Sequence, residues 1–176
     1  TAGNDVSMDT AVEGDITVGA NVKAVQGSIE ITSGKGEVSI GDSDLDSEAV
    51  TAGTNIDLTA KDGNVMIDGN VSTETGDITV IVENATYNST GTENSIGFGT
   101  NGQLTSGKDA YLIAKNGDLL VTDDVTAEGT FYAQTKGQGD IILGEILDVE
   151  NDLSMSTEKG DITVGADVTA TQGSVT

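Results

Sequence analysis

The sequence contains no cysteine, proline, histidine or tryptophan, and its seven basic residues are all lysine. Each absence removes a class of chemistry. Without cysteine there is no disulfide staple, no zinc–thiolate centre and no thiol nucleophile. Without histidine, neither a Ser-His-Asp nor a Cys-His system can be assembled from this segment. Aromatic residues are 3% of the chain, so the interior has to be aliphatic. No apolar run approaches the roughly 20 residues that span a bilayer as a helix, so membrane insertion is not expected. The chain starts at Thr1 with neither methionine nor signal peptide, and reads as a mature or excised segment.

What is present is acid, glycine and a repeat. Thirty acidic residues against seven lysines leave a formal charge of -23. That charge repels phosphate backbones and anionic headgroups, so nucleic acid is not an expected partner. Disorder is the other reading of high charge, but 35% of the residues are apolar and they recur with strict periodicity. Short alternating segments such as Val6-Ser7-Met8, Ile16-Thr17-Val18 and Val22-Lys23-Ala24 follow one another with glycine or polar residues between them. Period-two alternation marks strands with one buried face. A helix is excluded because β-branched residues fill the apolar positions and glycine interrupts every segment.

The alternation returns in the same phase as Ile56/Leu58, Val65/Ile67 and Val71/Thr73, as Ala110/Leu112, Leu119/Val121 and Val125/Ala127, and as Leu153/Met155, Ile162/Val164 and Val168/Ala170. An antiparallel sandwich also uses short alternating strands, but it does not require constant turn length with near-identical text at each phase; stacking does. The expected fold is therefore all-β: a right-handed parallel β-helix of three strands per turn, about 21–22 residues per regular coil, running as a single segment over 1–176. Loop insertions are expected near 41–52 and 83–95, where the text lengthens. A longer repeat is also visible. NDVSMDTAVEGDITVGANVKAVQGSI, from Asn4, returns as NDLSMSTEKGDITVGADVTATQGSV, from Asn151, which points to a higher-order unit of about six coils.

The lines AGTNIDLTAKDGNVMIDGNVSTETGDITV (52–80) and KNGDLLVTDDVTAEGTFYAQTKGQGDIIL (115–143) carry a Gly-polar-aliphatic-polar-aliphatic pattern with Ala or Thr at the corners. In this the chain resembles, over nearly its whole length, the haemagglutination-activity repeats of filamentous haemagglutinin-like adhesins. The resemblance implies a β-helical rod in a large bacterial exoprotein, exported through an outer-membrane partner and used for attachment at the cell surface. It also implies a shaft of the kind that contact-dependent inhibition proteins use to present a toxin. The missing arginine and histidine and the high acidity depart from that family pattern.

Two acidic groups are candidate calcium sites. Asp42, Asp44, Asp46 and Glu48 in GDSDLDSE look like the start of a calcium loop, but Ser47 and Gly53 stand where an EF-hand needs Gly and Glu. The competing reading is a solvated acidic loop. Asp118, Asp140 and Asp161 fall at one phase of consecutive coils, about 5 Å apart if the coils stack. Calcium would relieve their repulsion, and splaying into screened solvent would do the same without a metal. The triplets at Asn70, Asn84 and Asn88 fit glycan acceptors and also fit chance in a chain rich in Asn, Ser and Thr.

The expected function is structural: a non-enzymatic rod or stalk that joins head to tail or continues within a giant chain. A host-surface or glycan ligand is the expected further partner. The alternative is a polysaccharide-binding or polysaccharide-cleaving β-helix, for which Tyr87, Phe98, Tyr111, Phe131 and Tyr132 are the only rings available. Paired carboxylates for glycoside hydrolysis are abundant, but no cleft motif accompanies them.

Overall fold

A computed structural model describes residues 1–41, 48–84, 94–99 and 102–176. The chain forms three seven-stranded parallel sheets. With strands numbered in chain order, the first sheet stacks β1 (Val6–Thr10), β4 (Ile29–Ser33), β7 (Ile56–Asp62), β10 (Ile78–Asn84), β13 (Ala110–Ala114), β16 (Phe131–Gln138) and β19 (Leu153–Lys159). The second stacks β2 (Ile16–Val18), β5 (Val38–Gly41), β8 (Val65–Asp68), β11 (Asn94–Phe98), β14 (Asp118–Val121), β17 (Ile141–Leu143) and β20 (Ile162–Val164). The third stacks β3 (Val22–Ala24), β6 (Glu48–Ala52), β9 (Asn70–Thr73), β12 (Leu104–Ser106), β15 (Val125–Ala127), β18 (Leu147–Val149) and β21 (Val168–Ala170). Every third strand in sequence is thus a neighbour in space, which is a parallel β-helix with three strands per turn, as the repeat predicts.

Alternation produces the interior. In β13 the pattern runs buried, half-buried, buried, half-buried, buried, because successive side chains leave a strand on opposite faces. Register then places like on like: Ile56 lies beside Ile78, Leu58 beside Val80, and Val80 beside Leu112. The column of Ile, Val, Leu and Ala that results is closed to solvent through the central coils, and Phe98 and Phe131 are buried within it. Burying each aliphatic side chain contributes about 1.5–3 kcal/mol, which offsets ordering entropy only when coils cover both sides. The ends bear this out: Leu112 is fully buried, but Ile162 and Val168 in the seventh coil are 42% and 39% exposed.

One corner is lined by glycine. Gly14, Gly36, Gly63, Gly117 and Gly139 all take positive φ, immediately before the second-sheet strands. A Cβ on Gly63 would lie 2.2 Å from the Gly36 carbonyl oxygen, so the turn passes too close to its neighbour for any side chain. Buried hydroxyls satisfy the carbonyls inside this corner: Ser33 donates to Gly14 O at 3.0 Å and Thr135 to Gly139 O at 3.0 Å.

The expected insertions need narrower bounds. Glu48–Ala52 is strand β6, paired with β3 and β9, and β10 and β11 take in Glu83–Asn84 and Asn94–Ser95. The inward pair Val50/Ala52 continues the third-sheet ladder and holds that stretch in the wall. The remaining parts, 42–47 and 85–93, lie outside the described residues.

Candidate functional site

The carboxylates of the corners form the most regular polar feature. At ten corner positions among the described residues, a side-chain oxygen receives the backbone N–H of the equivalent residue one coil later. Asp118 Oδ1 accepts from the Asp140 amide at 2.9 Å, and Asp140 Oδ1 from the Asp161 amide at 2.8 Å. At the first-sheet corner, Asn55 accepts from Asp77 N, Asp77 from Asp109 N and Asp109 from Thr130 N, at 3.1, 3.2 and 2.7 Å. Asp5, Asp15, Asn70, Asp124 and Asp152 do the same for Ser28, Glu37, Gln103, Ile146 and Ser174. These bonds span 21 to 23 residues in most coils, and 32 and 33 across the lengthened coil, between Asp77 and Asp109 and between Asn70 and Gln103. A carboxylate accepting backbone N–H gives a hydrogen bond stronger than a neutral pair.

Asp118, Asp140 and Asp161 are thus brought into one ladder, as the sequence phase indicates, and one oxygen each of Asp118 and Asp140 is committed to a coil-to-coil hydrogen bond. Asp42, Asp44 and Asp46 lie outside the described residues, and Glu48 is described only through its backbone in β6. A third acidic group escaped the sequence reading. Asp123, Asp124 and Glu145 bring one carboxylate oxygen each to within 4.8 Å of one another. Oxygen donors of this kind suit a hard divalent cation such as calcium, with water completing the six to eight ligands it takes. Asp124 Oδ1 already receives the Ile146 amide at 3.1 Å, so this group too belongs to the corner ladder.

The aromatic residues divide. Phe98 and Phe131 are buried, and Tyr87 lies outside the described residues. Tyr111 and Tyr132 stand side by side, half-buried on the outer face of the first sheet, with ring centroids 6.5 Å apart and planes tilted by 48°. The Tyr111 hydroxyl donates to Asp109 Oδ2 at 3.2 Å, and Lys108 Nζ lies 3.3 Å from Asp77 Oδ1. Partial burial, then the charge and hydrogen bond of Asp109, and then the charge of Asp77 push the Tyr111 phenol above its ordinary value of 10.0. Because the folded form holds this proton more tightly, its contribution to stability is complete below about pH 10 and is lost as pH rises through the folded pKa. Spectrophotometric titration is expected to show a tyrosine component ionising above the ordinary value of 10.0 that Tyr111→Phe removes. A titration in which Tyr111→Phe removes no such component would contradict the Asp109 contact.

The structure also predicts which ladder substitutions are tolerated. Asp109→Asn keeps an acceptor for Thr130 N, as Asn55 and Asn70 do in their own coils. Asp109→Leu strands that amide and the Tyr111 hydroxyl and is expected to cost about 1–3 kcal/mol in urea denaturation. If leucine stabilised the chain, charge repulsion and not hydrogen bonding would govern the corner.

Fold and corner ladders together define a β-solenoid of the parallel β-helix class. No family model matches the chain, and neither does any curated protein or solved structure. An open depression of ≈ 440 Å³ lies on the outer face of the first sheet, lined in part by Asp9, Glu30, Thr32 and Lys61.

Proposed function

We propose that the chain is a structural rod segment of a secreted or cell-surface fibre, a shaft that holds an attachment element away from the cell. The observation that carries this reading is the use made of the acidic side chains. The corner carboxylates are spent on joining coil to coil, and the inward aliphatics on a continuous column, so the sequence repeat is directed at extension along one axis. A net charge of -23 keeps neighbouring shafts apart and soluble. At about 4.8 Å per coil, seven coils give a rod of only about 34 Å, so a spacer needs many such segments in line. The resemblance to haemagglutinin-like adhesins points the same way and supplies the extracellular setting. Continuation within a long chain and joining of separate copies both serve that end, and catalysis has no part in this reading.

Gold-labelled antibody to the segment, applied to intact cells that make the protein, is expected to decorate fibres outside the envelope. Label confined to the cell interior would overturn the proposal. The Tyr111–Tyr132 pair beside Asp77 and Asp109 favours one second reading, a surface that stacks a sugar ring. Glycan-array binding lost in Tyr111→Ala would support it over a plain shaft.

A further inference from the structure

Tyrosine is scarce in this chain, and two of its three tyrosines stand together. Tyr111 in β13 and Tyr132 in β16 are 21 positions apart in sequence and are direct register partners on neighbouring coils. Alternation sends both outward, because their strand neighbours Ala110, Leu112, Phe131 and Ala133 all point into the buried column. Hydrogen bonding between β13 and β16 holds the two backbones about 4.8 Å apart, so the rings are kept as a pair. Their centroids lie 6.5 Å apart, inside the range of about 4.5–7 Å over which aromatic rings pair. Both residues are half-buried, so the rings remain reachable from solvent.

The surroundings favour loss of an electron from this pair. The Tyr111 hydroxyl donates to Asp109 Oδ2 at 3.2 Å, which puts a proton acceptor where the phenol needs one as it is oxidised. The next register neighbours on the same face are Thr79 beside Tyr111 and Ser154 beside Tyr132, neither of which is readily oxidised. No cysteine or tryptophan is present to compete for a one-electron oxidant, so tyrosine is where such an oxidant acts.

We propose that Tyr111 and Tyr132 form an oxidative coupling site, at which a haem peroxidase with hydrogen peroxide joins the two rings and staples the fifth coil to the sixth. Each phenol gives up one electron and one proton, and together these reduce one peroxide to two waters. The two phenoxyl radicals combine through the ring carbons next to the oxygen-bearing carbons, forming one carbon–carbon bond. The hydrogen on each joined carbon then moves to the oxygen and restores the phenol, so the chain loses two hydrogen atoms in all. Coupling within one chain outruns coupling between copies, because the pair is already in place and a net charge of -23 holds copies apart. The chain has no disulfide, and the new bond restricts the unfolded state as a disulfide would. The site needs only the register of the coils and goes beyond the reading of the chain as a rod.

The test treats the full 176-residue chain, dilute and at low salt, with a peroxidase and limiting hydrogen peroxide, and then digests it with a lysine-specific protease. The expected product is a monomer lighter by two hydrogen atoms, in which the peptide of residues 109–115 is joined to that of residues 116–136. Methionine oxidation is told apart by its sign, since a sulfoxide adds an oxygen atom. Tyr111→Phe and Tyr132→Phe each remove only a hydroxyl and should lower the yield of linked monomer at least about tenfold, while Tyr87→Phe leaves it unchanged. The linked chain is expected to melt about 5–10 °C above the untreated one, as closing a loop of this length in the unfolded state predicts. Tyr111 and Tyr132 left unmodified in a mixture where free tyrosine couples would overturn the proposal. So would a link that forms only between copies, or one that runs through Tyr87 instead. A linked chain that melts no higher than the untreated one would overturn the staple.

Discussion

Replacing Leu112 by alanine is expected to destabilise the chain by about 2–5 kcal/mol in equilibrium urea denaturation. Leu112 is fully buried in β13, between Val80 on one coil and Ala133 on the next. A cavity there has no solvent to fill it, and a solenoid wall pinned by hydrogen bonds on both sides relaxes little to close it. Ile162→Ala removes a similar number of atoms from a side chain that is 42% exposed, and about 1 kcal/mol is expected. The contrast between the two variants is the informative quantity. A loosely packed interior would treat both alike.

Gly63→Val is the second large effect. Gly63 has a φ of 150°, and an added Cβ would meet the Gly36 carbonyl oxygen at 2.2 Å and its carbon at 2.5 Å, both backbone atoms of the neighbouring coil. Backbone strain of about 1–3 kcal/mol adds to overpacking of about 1–3 kcal/mol, together enough to unfold a marginally stable domain. Gly19→Ala, where nothing lies within 4 Å of the added atom, should leave the melting midpoint within about a degree or two, as a surface change of a few tenths of a kcal/mol would. Equal tolerance at the two positions would mean that the coils are not stacked at this corner.

Much of the fold is legible because the same physics acts once per coil. Alternation at Ile56/Leu58 or Ala110/Leu112 reports which face is inward, and constant spacing reports that the next inward pair lies directly alongside. The bounds of β6 were less legible, since the acidic text GDSDLDSE runs straight into EAVTA and hides where the wall resumes. The corner acids were legible in position but not in role. Read as charges, Asp118, Asp140 and Asp161 call for a cation; read beside Asn55 and Asn70, which accept backbone amides at the other two corners without charge, they are acceptors for backbone amides. That substitution of amide for carboxylate was the available signal. The Asp123, Asp124 and Glu145 group could be found only after register placed Glu145 one coil from Asp123.

The most direct test of the stacked column is a set of nuclear Overhauser contacts between methyl groups in a chain labelled at Leu, Val and Ile. Cross-peaks linking Leu58 to Val80 and Val80 to Leu112 are predicted, joining residues far apart in sequence but adjacent on one wall. Antiparallel Hα–Hα contacts between consecutive strands such as β7 and β8, with those methyl contacts missing, would contradict the account.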